Sequence, residues 1–142
     1  MEYVLKTNLL KKCYGNYKAL NGLSMSVPKG AIYGFVGKNG AGKTTLIRLI
    51  CGLQEPTDGE YSIYGIGNKQ KEIARSRRRI GAVVEVPSVY LDMTAEDNLK
   101  EQYQILGLPS FDGISEILQV VGLKNTGKKK AKNFSLGMRQ RL

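Results

Sequence analysis

The chain of 142 residues is 42% apolar and 24% charged, proportions of an ordinary globular protein able to bury a core. It contains no run of about 18 apolar residues, the length a bilayer-crossing helix needs, so any membrane role is expected to be peripheral. Its two cysteines, Cys13 and Cys51, lie without a His or second Cys at ligand spacing, which excludes a zinc site and a disulfide framework, while the net charge of +10 admits a partner of nucleic acid or anionic lipid as well as a solvated basic surface.

In chain order, Met1-Glu2-Tyr3-Val4-Leu5-Lys6 has neither a basic leader nor a continuous apolar core, so it does not read as a secretory signal and a cytoplasmic location is expected. Val4-Leu5, Leu9-Leu10, residues 23–27 and residues 31–36 fit short strands, separated by turn signals at Asn21-Gly22 and Pro28-Lys29-Gly30. From Lys43 the residues Leu46, Ile47, Leu49 and Ile50 recur at helical spacing until Gly52 stops the helix. Residues 59–65 and 80–85 read as two further strands, the second ending at Glu85 before Pro87 breaks it. Thr94 is a predicted N-cap, with Asp97 completing an imperfect capping box for a helix that runs to about Leu106. Asp112 opens another helix, with Ile114, Ile117, Leu118 and Val121 on one face and Gly122 at its end. The basic runs Arg75-Ser76-Arg77-Arg78-Arg79 and Lys128-Lys129-Lys130-Ala131-Lys132 read as exposed loops or helix ends, and without interleaved aromatics they argue against nucleic acid as partner. No linker divides the sequence, and one domain is expected.

Between the predicted strand at 31–36 and the helix from Lys43 lies Gly37-Lys38-Asn39-Gly40-Ala41-Gly42-Lys43-Thr44, which matches G-x-x-x-x-G-K-[ST] at every position. Glycines suit a backbone that must wrap a phosphate chain closely and with unusual dihedrals. The amides from Lys38 to Thr45, aided by the following helix dipole, then become the ligand for the phosphates of ATP. Lys43 adds a full charge at the β and γ oxygens, and the Thr44 hydroxyl is suited to Mg²⁺, a hard cation that takes oxygen ligands. A phosphate loop alone does not choose among kinases, GTPases, helicases and transport motors.

The terminal stretch Asn133-Phe134-Ser135-Leu136-Gly137-Met138-Arg139-Gln140-Arg141-Leu142 resembles the signature sequence of ABC-type ATPases, L-S-G-G-Q followed by a basic residue, Gln and Arg. Ser135, Gly137, Gln140 and Arg141 match, whereas Leu136 replaces the usual first Gly and Met138 the usual Gln. Tyr14, in Lys12-Cys13-Tyr14-Gly15, falls where that family places an aromatic that stacks on adenine. Residues 51–60 are similar to its connection out of the phosphate-loop helix, and residues 80–85 resemble the strand leading to its Q-loop. Glu85 then occupies the place of the usual Gln, with a carboxylate toward metal and water. An apolar strand ending in an acid is also the pattern of a Walker B strand in other phosphate-loop enzymes. Together with Thr94-Ala95-Glu96-Asp97-Asn98-Leu99, these departures look like the ATPases of bacterial bacitracin and lantibiotic resistance exporters.

The resemblance implies an α/β phosphate-loop fold of the ABC ATPase type, present in part: an antiparallel β subdomain, the core strand and helix around the phosphate loop, and the start of a helical subdomain. Residues 1–142 are expected to form an ATP-binding domain truncated before its Walker B strand, binding ATP and Mg²⁺ without hydrolysing it, while the intact protein is an ATPase. The implied nucleotide-binding residues are Tyr14, Gly37, Lys38, Asn39, Gly40, Ala41, Gly42, Lys43, Thr44, Thr45, Ser135 and Gly137. Lys43 and Glu85 are the implied catalytic residues, and Thr44 and Glu85 the metal ligands. The implied partners are a membrane-spanning permease, met through residues 85–93 with Leu91 and Met93 as candidate contacts, and a second copy in a head-to-tail ATP sandwich on the inner face of the membrane. An unpaired sheet edge is expected to drive self-association of the fragment. The competing class is a soluble ABC-type ATPase acting on the ribosome or nucleic acid.

Overall fold

The computed structural model describes residues 2–142. They form two compact units that divide between Val84 and Glu85, each with its own apolar core.

The first unit is built on a four-stranded antiparallel sheet of order β2-β1-β3-β4. Its strands β1 (Tyr3–Tyr14) and β2 (Tyr17–Pro28) make one long hairpin that turns at Gly15-Asn16. Asn21-Gly22, expected as a turn, lies inside β2 instead. There Gly22, at φ 83, is the extra residue between the pairs Leu10↔Leu23 and Lys11↔Asn21, so the backbone irregularity becomes a bulge and the strand continues. A second irregularity, between Thr7 and Leu10, puts the non-glycine residue Leu9 at φ 47. β3 (Asp58–Ile63) pairs with β1, and after a turn at Tyr64-Gly65 the short β4 (Ile66–Gly67) closes the sheet. Helix α1 (Lys43–Ile50) follows the helical spacing read from Leu46 to Ile50, burying Leu46 and Leu49 with Leu10, Leu20, Tyr61, Ile63 and Ile73. The short α2 (Ile73–Arg77) overlaps the start of the first basic run. Its Arg77 donates from Nε to Ile50 O at 3.3 Å and from Nη2 to the buried Tyr61 hydroxyl, tying α2 to the end of α1 and to β3.

Two expected strands are absent as regular structure. Residues 31–38 and 80–84 carry no strand assignment, and Ile32, Val36 and Val83 are exposed. Both segments have strand-forming composition, but a strand exists only as part of a hydrogen-bonded ladder, and neither has a ladder partner among the described residues.

The second unit is helical. Thr94 caps α3 (Ala95–Ile105) as its sequence predicts: its Oγ1 accepts from Asp97 N at 3.1 Å and donates to Asp97 Oδ2 at 2.8 Å. Helix α4 (Ile114–Val120) buries Ile114 and Leu118 against Leu99 of α3, while Ile117, expected on the same face, remains partly exposed. Two single-turn segments, Lys124–Thr126 and Ala131–Asn133, lead to α5 (Leu136–Arg141). The segment from Tyr90 to Thr94 is held twice. Asn98, buried in α3, accepts from Tyr90 N and donates to Tyr90 O and Thr94 O, while Ala131 N and Lys132 N donate to Met93 O and Leu91 O.

Candidate nucleotide site

In the first unit, Tyr14, Tyr17, Ala19, Asn39, Gly40, Gly42, Lys43, Thr44 and Thr45 line a surface cleft of about 350 Å³. The hairpin forms one wall and the glycine loop with the first turn of α1 the other. Gly42 joins the two. Its φ of +85 is the left-handed conformation, and a Cβ there would lie 2.2 Å from Ala19 O and 2.8 Å from Leu20 Cδ2. Only glycine therefore lets the loop enter α1 while resting on β2. Gly42 is also the N-cap of α1 and caps it with no side chain. The first-turn amides of Lys43, Thr44 and Thr45 have no partner inside the helix and carry the positive end of its dipole, which suits them to an anion.

Three of the loop's carbonyls are covered by side chains. Lys43 Nζ donates to Gly37 O at 2.5 Å and to Lys38 O at 2.7 Å, and the Tyr17 hydroxyl donates to Gly40 O at 2.9 Å. Ala41 N donates back to Lys38 O at 3.1 Å. Among the described residues no carboxylate lines the cleft, so Lys43 gives it a positive field that attracts phosphate. Gly37, Lys38 and Ala41 complete the loop behind these lining residues. Thr44 lines the cleft and could offer its hydroxyl oxygen to Mg²⁺, a hard cation that takes oxygen ligands and would supply positive charge against phosphate there.

Tyr14 lines the cleft and is 41% exposed, open enough for a base to lie on its ring. Its hydroxyl donates to Gln54 Oε1, and the Lys12 ammonium lies 5.4 Å from the ring centroid while donating to Glu55 O. Tyr17, Gln54 and Lys12 were not singled out from sequence. Tyr17 lies two positions beyond the Gly15 turn and is separated from the loop by more than 20 residues of chain, so only the hairpin register reveals it.

The remaining expected residues belong to the second unit. Glu85 opens it at a bend with φ 67 and is not among the residues lining the cleft. Ser135 is the N-cap of α5, its Oγ accepting from Met138 N at 3.2 Å. Gly137 has ordinary backbone, and a Cβ there would meet nothing nearer than Arg141 Nη1 at 3.7 Å.

Comparison with known proteins agrees with this geometry. Residues 20–142 match the family described as ABC transporter. The chain is 46% identical over 144 residues to the bacitracin transport ATP-binding protein BcrA of Bacillus licheniformis, covering 100% of this chain and 46% of that protein. It is 40% identical over 139 residues to the lantibiotic transport ATP-binding protein SrtF of Streptococcus pyogenes, covering 98% of this chain and 58% of that one. It thus spans about half the length of these curated relatives. Among solved structures, cbiO1 from Clostridium perfringens, part of the ABC transporter complex cbiONQ, superposes with a TM-score of 0.82 at 25% identity over 99% of this chain and 59% of that one. An ATP-binding subunit of an ABC transporter superposes at 0.78 with 28% identity, over 97% and 58% of the two chains.

Proposed function

The chain belongs to the ABC transporter family, and on that premise we propose that it is the nucleotide-holding part of a transporter's ATP-binding subunit. The observation that carries this reading is the single cleft in which Tyr14, the glycine loop, Lys43 and Thr44 meet. In this reading ATP lies with its base on Tyr14 and its phosphates on the amides of residues 38–45, and Thr44 holds Mg²⁺. Lys43 turns from the loop carbonyls toward the β and γ oxygens.

Hydrolysis belongs to the intact protein. The described residues lining the cleft offer donors for phosphoryl charge and no carboxylate to activate water, so these 142 residues alone are expected to bind ATP without turning it over. Glu85 is the acid proposed to approach the metal and water in the assembled site. Ser135 and Gly137 are proposed to meet the γ-phosphate of a second copy in a head-to-tail dimer. In support, a Cβ at Gly137 would meet nothing nearer than Arg141 Nη1 at 3.7 Å, so its surface is open to close approach from outside the chain. The dimer would act on a membrane-spanning permease through residues 85–93, where Leu91 is exposed. The irregular segment at 31–36, which has strand-forming composition and exposes Ile32 and Val36, is proposed as the surface through which the chain, taken alone, self-associates. The relatives named for bacitracin and lantibiotic transport favour export of an antimicrobial peptide, with the subunit peripheral on the inner membrane face.

Calorimetric titration with Mg-ATP tests the core of this proposal. Saturable binding is expected, weakened at least about tenfold in Lys43→Ala, where charge-assisted bonds to phosphate are lost. Absence of saturable ATP binding, or its replacement by RNA affinity that falls steeply with salt, would overturn it.

A further inference from the structure

We propose that Tyr17 is a positioning residue for the phosphate loop: it latches the loop tip through its hydroxyl and keeps the Gly40 carbonyl turned away from the anion. This rests on the reading of the cleft as a nucleotide site.

A loop that binds phosphate through its amides must also dispose of its carbonyls, because each peptide that presents N–H to an anion can, by rotation, present a repelling C=O instead. In this chain the carbonyls of Gly37 and Lys38 are held by Lys43 Nζ, and that of Gly40 by the Tyr17 hydroxyl. The peptide joining Gly40 to Ala41 is fixed at both ends, its oxygen by Tyr17 and its N–H by Lys38 O. Gly40 needs such a hold. At φ +81, with nothing within 4 Å of where a Cβ would stand, neither side-chain packing nor a crowded surrounding restrains it. Lys43 cannot substitute, since it must give its protons to the phosphates when they arrive. Tyr17 is then the side chain that continues to hold a loop carbonyl.

Tyr17 is well placed for this and poorly placed for a core role. It is the first residue of β2, just past the hairpin turn, and 57% exposed, so its ring contributes little to the packing of the unit. The hairpin register that brings Tyr14 opposite Tyr17 puts both tyrosines on the cleft. Neighbours across the hairpin, they bond to different segments: Tyr14 to Gln54, after α1, and Tyr17 to the loop itself.

The test compares wild-type protein with Tyr17→Phe, which keeps the ring and removes the hydroxyl. Binding of Mg-ATP, of inorganic triphosphate and of adenosine is measured by calorimetry, with thermal melting alongside. Loss of one hydrogen bond predicts triphosphate and ATP affinities each about three- to tenfold weaker, by the same factor. Adenosine affinity and the melting temperature stay at wild-type values. Tyr17→Leu should lose no more triphosphate affinity than Tyr17→Phe, since the ring is not the working part. Unchanged triphosphate affinity in Tyr17→Phe would overturn the latch, and so would a loss confined to ATP and adenosine, which would make Tyr17 a base contact. A melting temperature lowered in proportion to the affinity loss would also overturn it, by making the residue a structural one. Failure of the wild-type protein to bind either triphosphate would instead overturn the nucleotide-site reading, and the latch with it.

Discussion

Adding one methyl group at Gly42 is expected to be the most damaging small change in the glycine loop. The φ of +85 places an alanine there in the left-handed region, at a cost of about 1–2 kcal/mol. The new Cβ would also lie 2.2 Å from Ala19 O, a backbone atom inside β2 that no side-chain rotation can move away. Reaching ordinary contact requires roughly 1 Å of movement. Leu46 and Leu49, buried in the core shared with the sheet, resist it, and overpacking of this kind costs about 1–3 kcal/mol. The two effects together amount to about 2–5 kcal/mol, a large share of the stability of a small unit. Any relief that shifts the start of α1 also moves the amides that face the phosphates, and a 1 Å misplacement in such a site can lower function on the order of a hundredfold. The companion variants separate the causes. Gly40→Ala meets open space at φ +81 and should lose only about 1–2 kcal/mol of backbone energy, and Gly37→Ala, with ordinary φ and a contact of 3.1 Å to Ala41 Cβ, less than about 1 kcal/mol. Urea denaturation midpoints together with Mg-ATP titration give the order Gly42, Gly40, Gly37 in decreasing severity. A Gly42→Ala protein that unfolds at the Gly37→Ala midpoint and keeps wild-type ATP affinity would refute the packing argument.

Removing the Tyr61 hydroxyl with Tyr61→Phe breaks its 2.8 Å bond to the Leu49 carbonyl, which keeps the Gly52 amide, and the bond it accepts from the Arg77 guanidinium, which keeps Ile50 O; the expected loss is about 1–3 kcal/mol, and a denaturation midpoint equal to wild type would rule that out. The same phenol gives an alkaline signature. Burial raises its pKa above 10.0 against the opposing pull of Arg77, so the stability it contributes is complete below the unfolded value and lost as pH rises through the folded one; Tyr61→Phe should flatten that decline. At the acid end, the Lys11 ammonium and then the Gly59 amide hold the Asp58 carboxyl below 3.8, so its contribution is present above that value and lost as pH falls through the lowered one, and a carboxyl carbon resonance titrating at or above 3.8 would contradict the 2.8 Å pair. In the second unit, Asn98→Ala removes three hydrogen bonds from a buried side chain and takes the acceptor from Tyr90 N, while Tyr90 O keeps Met93 N and Thr94 O keeps the Asn98 amide; faster amide exchange at Tyr90 with a loss of about 1–3 kcal/mol is expected, and unchanged protection there would show that residues 131–132 hold the loop alone.

Features carried by local chemistry were legible in the sequence. The phosphate loop announces itself because its glycines, lysine and threonine act through backbone dihedrals and spacing within eight consecutive positions, 37–44. The cap at Thr94 and the helices that follow Lys43 and Asp112 are equally local, and the structure has all three. Tyr14 as a site residue needed the family resemblance, since an exposed tyrosine after a short strand has no chemistry of its own. What depended on pairing was decided by tertiary structure. The hairpin turns at Gly15 rather than at Gly22 because the register of β1 against β2 makes Gly22 a bulge, and residues 31–36 and 80–84 remain irregular because strand composition without a ladder neighbour does not make a strand. Register also places Tyr17 on the loop it latches and Ala19 under Gly42, contacts between residues more than 20 positions apart that no periodicity encodes. The sequence by itself therefore determined which groups can hold a phosphate chain, because those properties reside in single residues and their immediate neighbours. The tertiary structure decided what holds those groups in place, because that depends on which distant backbone atoms the hairpin brings within hydrogen-bonding reach.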